Sequence, residues 1–431
     1  MSENTGRPVV ADLDAAALTT LHATLLDEYA ALQARGLRLD ITRGKPSPEQ
    51  LDLAQPLLGL PGEDDFRAAD GTDTRNYGGL AGLPELRAIY ADLLGIPVEQ
   101  LLASGTSSLT VMFDVLAYAF LFGRDGSPQP WGREEKVRWI CPVPGYDRHF
   151  AMLEHLGIEM VTVDQTPDGP DVEAIARLVA DDPTIKGLWL VPTYSNPGGE
   201  TTSAEVAARL AAMPAAAPDF TVLWDNAYAV HHLTDDESKA VDVLGLAAAS
   251  GHPDRFVVFA STSKVTFAGA GVAFLAGSPS TVAWYLRHLA FGSIGPDKVN
   301  HLRHVRFLRD ADGVRAHMHR HREILEPKFG AVLDTLDARL GGTGTATWNT
   351  PRGGYFVSLD VVDGTARRVV ELAREAGIAL TPAGASFPYG HDPRDRNIRI
   401  APTFPPVDEI RVAIDGLATC VLLAAVEQRL S

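Results

Sequence analysis

The chain has 431 residues, of which 45% are hydrophobic and 22% are charged. This length suits a large domain with a smaller one, and the composition is ordinary for a soluble globular protein. The formal net charge of −17 argues against a nucleic-acid or membrane-surface partner, because both require a basic face. Two cysteines and a polar N-terminus predict a reducing, cytoplasmic location without a secretion signal.

Short apolar runs alternate with helical stretches over most of the chain. The first predicted element is a helix at about 12–35, and a second helix follows the polar run 104–108. Helices at 171–180 and 203–213 lie between predicted strands. The strands are predicted at 137–141, 158–163, 185–191, 220–225, 256–260 and 271–276. This alternation predicts an α/β fold around a mainly parallel sheet.

The pattern changes after about residue 312. A long helix is followed by short strands at 347–348 and 355–359 and by a helix at 365–376. We predict that this part packs with the N-terminal helix as a second domain. The predicted division is a large domain at 51–311 and a small domain formed by 1–50 and 312–431.

Three of the predicted strands end in different polar groups. Residues 195–199 (SNPGG), 225–228 (DNAY) and 261–264 (STSK) each follow an apolar run. The carboxyl ends of parallel strands meet at one edge of a sheet, where α/β enzymes bind ligands. Lys264 in that position can form a Schiff base with an aldehyde, although most lysines are solvated surface charges.

These motifs, in this order, resemble the fold-type I enzymes that use pyridoxal 5'-phosphate (PLP) and, within them, the class I aminotransferases. Further family blocks lie at 76–87, 104–108, 144–146 and 397–400. The runs TRGKPSP and TFAGAG are most similar to a divergent branch of aspartate aminotransferases, which is related to the aminotransferase-like domain of MocR-type regulators. The resemblance implies a large domain with a mainly parallel seven-stranded sheet between helices, and a smaller α+β domain built from both termini.

The resemblance implies catalytic roles for the strand-end residues. Lys264 would hold the PLP aldehyde and carry the substrate Cα proton. Asp225 would keep the pyridine nitrogen protonated, while Tyr228 and Asn196 would contact the phenolic oxygen of the ring. Tyr146 would stack on the ring. The alternatives are a helix cap for Asp225 and core packing for either tyrosine.

The phosphate would bind at a helix N-terminus with added hydroxyl groups. The residues implied are Gly105, Thr106, Ser107, Ser261 and Ser263. Ser107 and Ser108 are equally suited to plain N-capping. Tyr77 would reach the phosphate from the partner subunit, which makes a homodimer the expected unit. Gly271 stands where many class I members carry a phosphate-binding arginine, so the phosphate charge must be met otherwise.

Arg399 is the candidate for the substrate α-carboxylate, because its planar guanidinium suits bidentate binding; Arg396 is the competing choice. Gly44 matches a backbone contact beside the substrate, and Asn196 would also lie at the substrate. A distal carboxylate requires a second cation. The candidates, which the sequence does not rank, are Lys298, Arg43, Arg287 and His301.

The expected function is an aspartate aminotransferase that exchanges amino groups between L-aspartate and 2-oxoglutarate by a ping-pong mechanism, giving oxaloacetate and L-glutamate. The alternatives are another amino-acid transaminase, a PLP lyase or synthase, and a non-catalytic PLP-sensing module. The many histidines at 301–322 are interpreted as a solvated helix face, not as a metal site, because no carboxylate pattern completes one.

Overall fold

The computed structural model describes residues 9–431, in which most of the strands of the large sheet are separated by helices. Residues 1–8, assigned above to the small domain and to a polar N-terminus, lie outside the described residues. The helices are α1 Ala15–Ala34, α2 Pro48–Asp52, α3 Pro84–Leu94, α4 Ser108–Phe122, α5 Asp147–His155, α6 Val172–Val179, α7 Ala204–Ala212, α8 Val243–Ala249, α9 Pro279–Leu289, α10 Lys298–Leu308, α11 Ala311–Leu340, α12 Ala366–Glu375 and α13 Val407–Leu430. The strands are β1 Leu39–Asp40, β2 Leu101–Ala103, β3 Arg138–Val143, β4 Glu159–Thr166, β5 Gly169–Pro170, β6 Ile185–Leu190, β7 Thr221–Asp225, β8 Phe256–Ser261, β9 Ala273–Ala276, β10 Ala346–Trp348, β11 Val357–Val361, β12 Ile378–Ala379 and β13 Asn397–Ile400.

The large sheet has the strand order β2-β9-β8-β7-β6-β3-β4-β5. Strands β4, β3, β6, β7 and β8 pair in parallel, whereas β9 runs antiparallel to both of its neighbours. The mainly parallel sheet is therefore confirmed. The implied count of seven strands leaves out β5, a two-residue edge strand that pairs antiparallel with the end of β4.

Apolar side chains cover both faces of the central strands. In β7, Val222 and Trp224 enter one hydrophobic cluster, while Leu223 between them enters the cluster on the opposite face. The same alternation places Trp189 of β6 opposite its two neighbours. Successive strand residues point to opposite faces, so a sheet covered by helices on both sides needs continuous apolar runs. Polar groups are consequently confined to the strand ends.

The two ends of the described chain share a hydrophobic cluster. It contains buried side chains of α1, most of the apolar side chains of α13, and the C-terminal part of α11. Beside it lie the antiparallel sheet β10-β11-β13 and the parallel pair β1-β12. Helix α11 also contributes Val314 and Met318 to a cluster of the large sheet, so it spans both parts. We retain the division at residues 50 and 311 as a proposal that this packing supports.

The interpretation of residues 301–322 as a solvated helix face is wrong for most of its histidines. His301, His304, His317 and His321 are all buried, and only His319 of the five named histidines on α10 and α11 is exposed. They are buried because α10 and α11 pack against each other and against the large domain. Among residues 9–431, no group of three or more His, Cys, Asp or Glu side chains is arranged to hold a metal ion. No helix in the same range is both long enough and apolar enough to cross a bilayer.

Candidate active site

One cavity of about 500 Å³ lies where the carboxyl ends of β6, β7 and β8 face the small sheet. Its walls bring together residues from distant parts of the sequence. They are Arg43, Gly44, Lys45, Ser107, Ser108, Leu109, Tyr146, Asp147, Arg148, Val191, Asn196, Asp225, Ala227, Tyr228, Ser261, Ser263, Lys264, Phe356 and Arg399. Most of the predicted site residues are therefore neighbours in space.

Lys264 lies three residues beyond the end of β8. Its amine is 5.0 Å from the centre of the Tyr228 ring and 5.8 Å from that of Tyr355. Burial lowers the pKa of the Lys264 amine below its ordinary value, although the nearby Asp225 carboxylate opposes this shift. A lowered pKa increases the fraction of neutral amine, which is the nucleophilic form.

Asp225 ends β7 with its side chain fully inside the protein. Its Oδ2 atom is 3.0 Å from Nε2 of His149, and the His149 ring stacks on Trp189 with centres 4.0 Å apart. Oδ1 has no hydrogen-bond partner within residues 9–431. A buried carboxylate oxygen without a partner is costly, so this atom is suited to a donor on a ligand. Asp225 does not cap a helix here.

Tyr228 and Tyr146 line the cavity wall together with Asp225. Burial raises the pKa of both phenols, that of Tyr146 to about 12, so each remains a neutral hydroxyl. The Tyr146 ring meets the His149 ring edge to face at 4.9 Å. Asn196 follows β6, and its side-chain oxygen is 3.4 Å from a guanidinium nitrogen of Arg399. Aromatic and amide side chains therefore share the lining of the cavity.

Arg399 projects from β13 into the cavity and is only 7% exposed. It pairs with Asp147 at 2.8 Å and lies over the Phe356 ring, while its Nε atom has no acceptor among the described residues. Arg396 instead pairs with Asp360 at 2.5 Å outside the cavity. Of the two candidates, Arg399 lines the cavity and Arg396 does not.

The predicted phosphate loop leads into α4. Ser107 caps this helix by accepting a hydrogen bond from the Thr110 amide at 3.3 Å, and it also lines the cavity, so capping and ligand contact are compatible. Ser261 and Ser263 line the same cavity, whereas Gly105 and Thr106 lie on the adjoining loop. A Cβ on Gly271 would lie 2.9 Å from the Thr106 carbonyl oxygen, so any side chain at this position would require the neighbouring backbone to shift.

Four further predicted residues lie outside this chain's cavity. Tyr77 is 82% exposed on a surface loop. Lys298 is buried and donates to the Asn76 and Gly78 carbonyls at 2.7 Å each. Arg287 pairs with Asp125 on the surface, and His301 is buried on α10. Among the four candidates for a distal carboxylate, Arg43 alone lines the cavity.

Sequence reasoning missed His149, Asp147 and Phe356. His149 follows Tyr146, the residue that precedes α5, by three residues, and their rings are in contact at the start of the helix; this spacing was the available signal. Asp147 gave no signal, because its partner Arg399 is 252 residues away. The Phe356 ring accounts for a glycine at position 44, because a Cβ there would approach the ring to 2.5 Å.

Comparison with known proteins agrees with this geometry. The family model described as aspartate amino-transferase matches residues 13–431. An aspartate aminotransferase of Corynebacterium glutamicum is 56% identical over 416 residues, covering 96% of each chain. The crystal structure of an aspartate transaminase from Corynebacterium glutamicum superimposes with a TM-score of 0.96 at 55% identity, covering 97% of this chain and 99% of that one.

More distant structures share the fold. The α-aminoadipate aminotransferase LysN of Thermus thermophilus, complexed with N-(5'-phosphopyridoxyl)-L-leucine, gives a TM-score of 0.73 at 22% identity, covering 92% of this chain and 95% of that one. Together, the mostly parallel sheet and the lysine cavity at its carboxyl edge define a fold-type I PLP-dependent aminotransferase. The chain belongs to the aspartate amino-transferase family. The resemblance stated from the sequence is thereby confirmed.

Proposed function

We propose that this protein binds PLP and exchanges amino groups between L-aspartate and 2-oxoglutarate. The observation that carries the proposal is the combination of Lys264, the unpartnered Oδ1 of Asp225 and Arg399 around one cavity. The name of the Corynebacterium glutamicum relative supports aspartate as the amino donor.

The residues present fit the cofactor. Asp225 Oδ1 would accept a hydrogen bond from the protonated pyridine nitrogen, and the His149 contact at Oδ2 keeps the carboxylate in place. Tyr146 would cover the ring, and Tyr228 and Asn196 would donate to its phenolic oxygen. The α4 N-terminus with the cavity-lining hydroxyls of Ser107, Ser261 and Ser263 would hold the phosphate. This donor set offers hydrogen bonds and a helix dipole in place of the missing arginine.

Bound PLP supplies the electron sink that makes an amino-acid Cα proton removable. Lys264 would bind the cofactor carbonyl and, once released by the substrate, would accept the Cα proton and return it as general acid. Its lowered pKa favours the neutral amine needed for that step. Arg399 would orient the α-carboxylate, so that the Cα proton faces Lys264.

Arg43 is the proposed contact for the distal carboxylate. It lines the cavity beside Gly44, and its charge helps to lower the pKa of the neighbouring Asp40 carboxyl. A cation at the cavity wall favours a dicarboxylic substrate over an apolar one. This assignment makes aspartate and 2-oxoglutarate, which both carry a second carboxylate, suitable partners in the two half-reactions.

A homodimer is proposed from the surface near Tyr77. Phe291 and Ile294 are 92% and 65% exposed, and Gly295 packs against Gly78, next to Tyr77. Exposed apolar side chains grouped in this way mark an interaction surface. A second copy covering them would bring Tyr77 close to a neighbouring molecule.

The visible spectrum of the protein with added PLP tests the proposed function. L-Aspartate should convert the bound cofactor to its pyridoxamine form, and 2-oxoglutarate should restore the original band. A band that ignores aspartate but responds to another amino acid would contradict the proposed substrate. If added PLP produced no band at all, the protein would lack the cofactor chemistry altogether.

A further inference from the structure

A buried hydrogen-bonded network connects α11 to the lysine loop. His317 Nε2 is 2.7 Å from the carbonyl oxygen of Val265, the residue that follows Lys264. His321, one turn later, places its Nε2 atom 3.1 Å from the same His317 nitrogen, and it also forms a hydrogen bond with the Val265 backbone. Both histidines are at most 2% exposed. These groups lie behind the lysine and do not line the cavity.

The partners of each ring determine where its proton lies. An Arg320 N–H donates to His317 Nδ1 at 2.9 Å, and a guanidinium cannot accept, so His317 carries its proton on Nε2. The Gln50 side-chain nitrogen lies 3.0 Å from His321 Nδ1, which places the His321 proton on Nε2 as well. The Val265 carbonyl has two lone pairs and can accept from both rings, so the 3.1 Å contact between the two Nε2 atoms brings two donors to one acceptor and is not itself a hydrogen bond. Burial lowers the pKa of His317 to about 4 and that of His321 to about 3, in agreement with two neutral rings.

The network continues toward the substrate side of the cavity. The orientation of the Gln50 amide is fixed, because its oxygen accepts from the Ser47 backbone N–H at 3.0 Å. The Gln50 nitrogen also donates to the Tyr355 hydroxyl at 3.1 Å. Ser47 is three residues beyond Gly44, and the Tyr355 ring faces the Lys264 amine. One buried network thus links the lysine loop with the segment that carries Arg43 and Gly44.

The lysine loop has a second anchor of the same kind. His304 Nδ1 lies 2.8 Å from the Asn300 carbonyl, so its Nε2 atom is an acceptor that the hydroxyls of Thr262 and Thr266 share, at 3.2 and 2.9 Å. The His304 contacts hold the two ends of the turn 262–266. The His317 contact holds the turn between them, next to Lys264.

We propose that His317 and His321 are positioning residues for the catalytic lysine. They fix the Val265 carbonyl to α11, and through Gln50 they hold the lysine loop and the Arg43–Gly44 segment at a constant separation. Buried hydrogen bonds restrict the motion of the groups they join, and proton transfer at Cα depends on the placement of the amine to within about 1 Å. The inference rests on the proposed function only for the effect on turnover.

The test compares His317→Leu, which removes the donor, with His317→Gln, whose amide can donate to Val265. Hydrogen exchange at the amides of 262–272 is measured in the PLP-free protein, and kcat and KM for L-aspartate are measured after PLP addition. His317→Leu should speed exchange and lower kcat by roughly 10- to 100-fold, with KM nearly unchanged. His317→Gln should restore both quantities. His319→Gln, on the exposed side of the same helix, is the matched control and should change neither.

Two outcomes would overturn the proposal. Unchanged hydrogen exchange and an unchanged kcat in His317→Leu would show that the contact with the Val265 carbonyl does not hold the lysine loop. Equal losses in the Leu and Gln variants, with equally lowered melting temperatures, would show that the ring only fills space. If the wild-type protein transferred no amino groups, the proposed function would fail. The rates of amide hydrogen exchange would still test the contact between His317 and Val265.

Discussion

At the level of single residues, one substitution can remove the negative charge of Asp225 and keep its hydrogen-bonding contact with His149. An Asp225→Asn variant would keep a polar contact with His149 but lose the negative charge that holds a ring nitrogen protonated. We expect kcat to fall by roughly 100-fold or more, the size of effect seen when one preorganised electrostatic contact is removed. Steady-state kinetics with saturating L-aspartate measures it. An unchanged kcat would mean that the cofactor ring lies elsewhere.

Arg399 and Arg396 offer a matched pair three residues apart. Arg399→Ala removes the buried guanidinium whose Nε has no acceptor among residues 9–431, whereas Arg396→Ala removes a guanidinium paired with Asp360. A hydrogen bond to a charged group is worth about 1.5–3 kcal/mol, so Arg399→Ala should raise KM for aspartate by roughly 10- to 150-fold. The Arg396→Ala enzyme should retain the wild-type KM. Equal effects in both variants would remove the case for Arg399 as the carboxylate contact.

Lys264 should lower the stability of the fold while raising the reactivity of the site. Its pKa is lower in the folded protein than in the unfolded chain, so the unfolded chain binds more protons and stability rises with pH over that interval. Lys264→Met should therefore abolish transamination and raise the melting temperature of PLP-free protein at pH 7. The gain should shrink as the pH approaches about 10.4, the unfolded value. A variant less stable than wild type at pH 7 would contradict a destabilising buried charge.

At the scale of elements, α10 and α11 together carry an acid-sensitive core. Burial lowers the pKa of His301, His304 and His317 to about 4 and that of His321 to about 3. Unfolding restores the ordinary value of about 6.5, so the unfolded chain binds these protons first and stability falls as the pH drops below that value. Each histidine contributes about 1.4 kcal/mol per pH unit within its window.

Urea unfolding of the PLP-free protein between pH 7 and pH 5 measures this slope. His304→Gln should reduce the slope of the unfolding free energy against pH by the contribution of one histidine, at most about 1.4 kcal/mol per pH unit. His319→Gln should leave the slope unchanged, because His319 lies on the exposed side of α11. Identical slopes in wild type and His304→Gln would show that this ring does not stay neutral in the fold.

The same helices show what sequence patterns can predict. The central strands were predictable because both faces are buried, which requires uninterrupted apolar runs ending in polar residues. Histidines on a long helix carry no comparable signal, since their partners Val265 and Gln50 are distant in sequence. His149 was missed for a similar reason: its stacking on Trp189 depends on β3 pairing with β6. Local periodicity indicates which strand ends meet at the cavity. It does not indicate which buried side chains, such as His149, hold the cavity-lining residues in place.

At the scale of the whole molecule, the exposed Tyr77 loop is held in place from inside the protein. Lys298 donates to the carbonyls on both sides of Tyr77, so its ammonium holds the loop and is not available to a substrate. Burying a lysine to hold a surface loop costs free energy, which is reasonable only if the position of the loop matters. In the proposed homodimer, this loop would deliver Tyr77 to the partner's cofactor phosphate.

Hybrid dimers test that arrangement directly. Tyr77→Ala and Lys264→Ala proteins are each expected to be impaired, the first in PLP affinity and the second in chemistry. In a hybrid, the protomer that keeps Lys264 would receive an intact Tyr77 from its partner, so one of its two sites is complete. Random exchange makes about half of the dimers hybrid, and about one quarter of wild-type activity should return at limiting PLP. Activity equal to the average of the two parent proteins would instead place Tyr77 at the cofactor of its own chain, or at none.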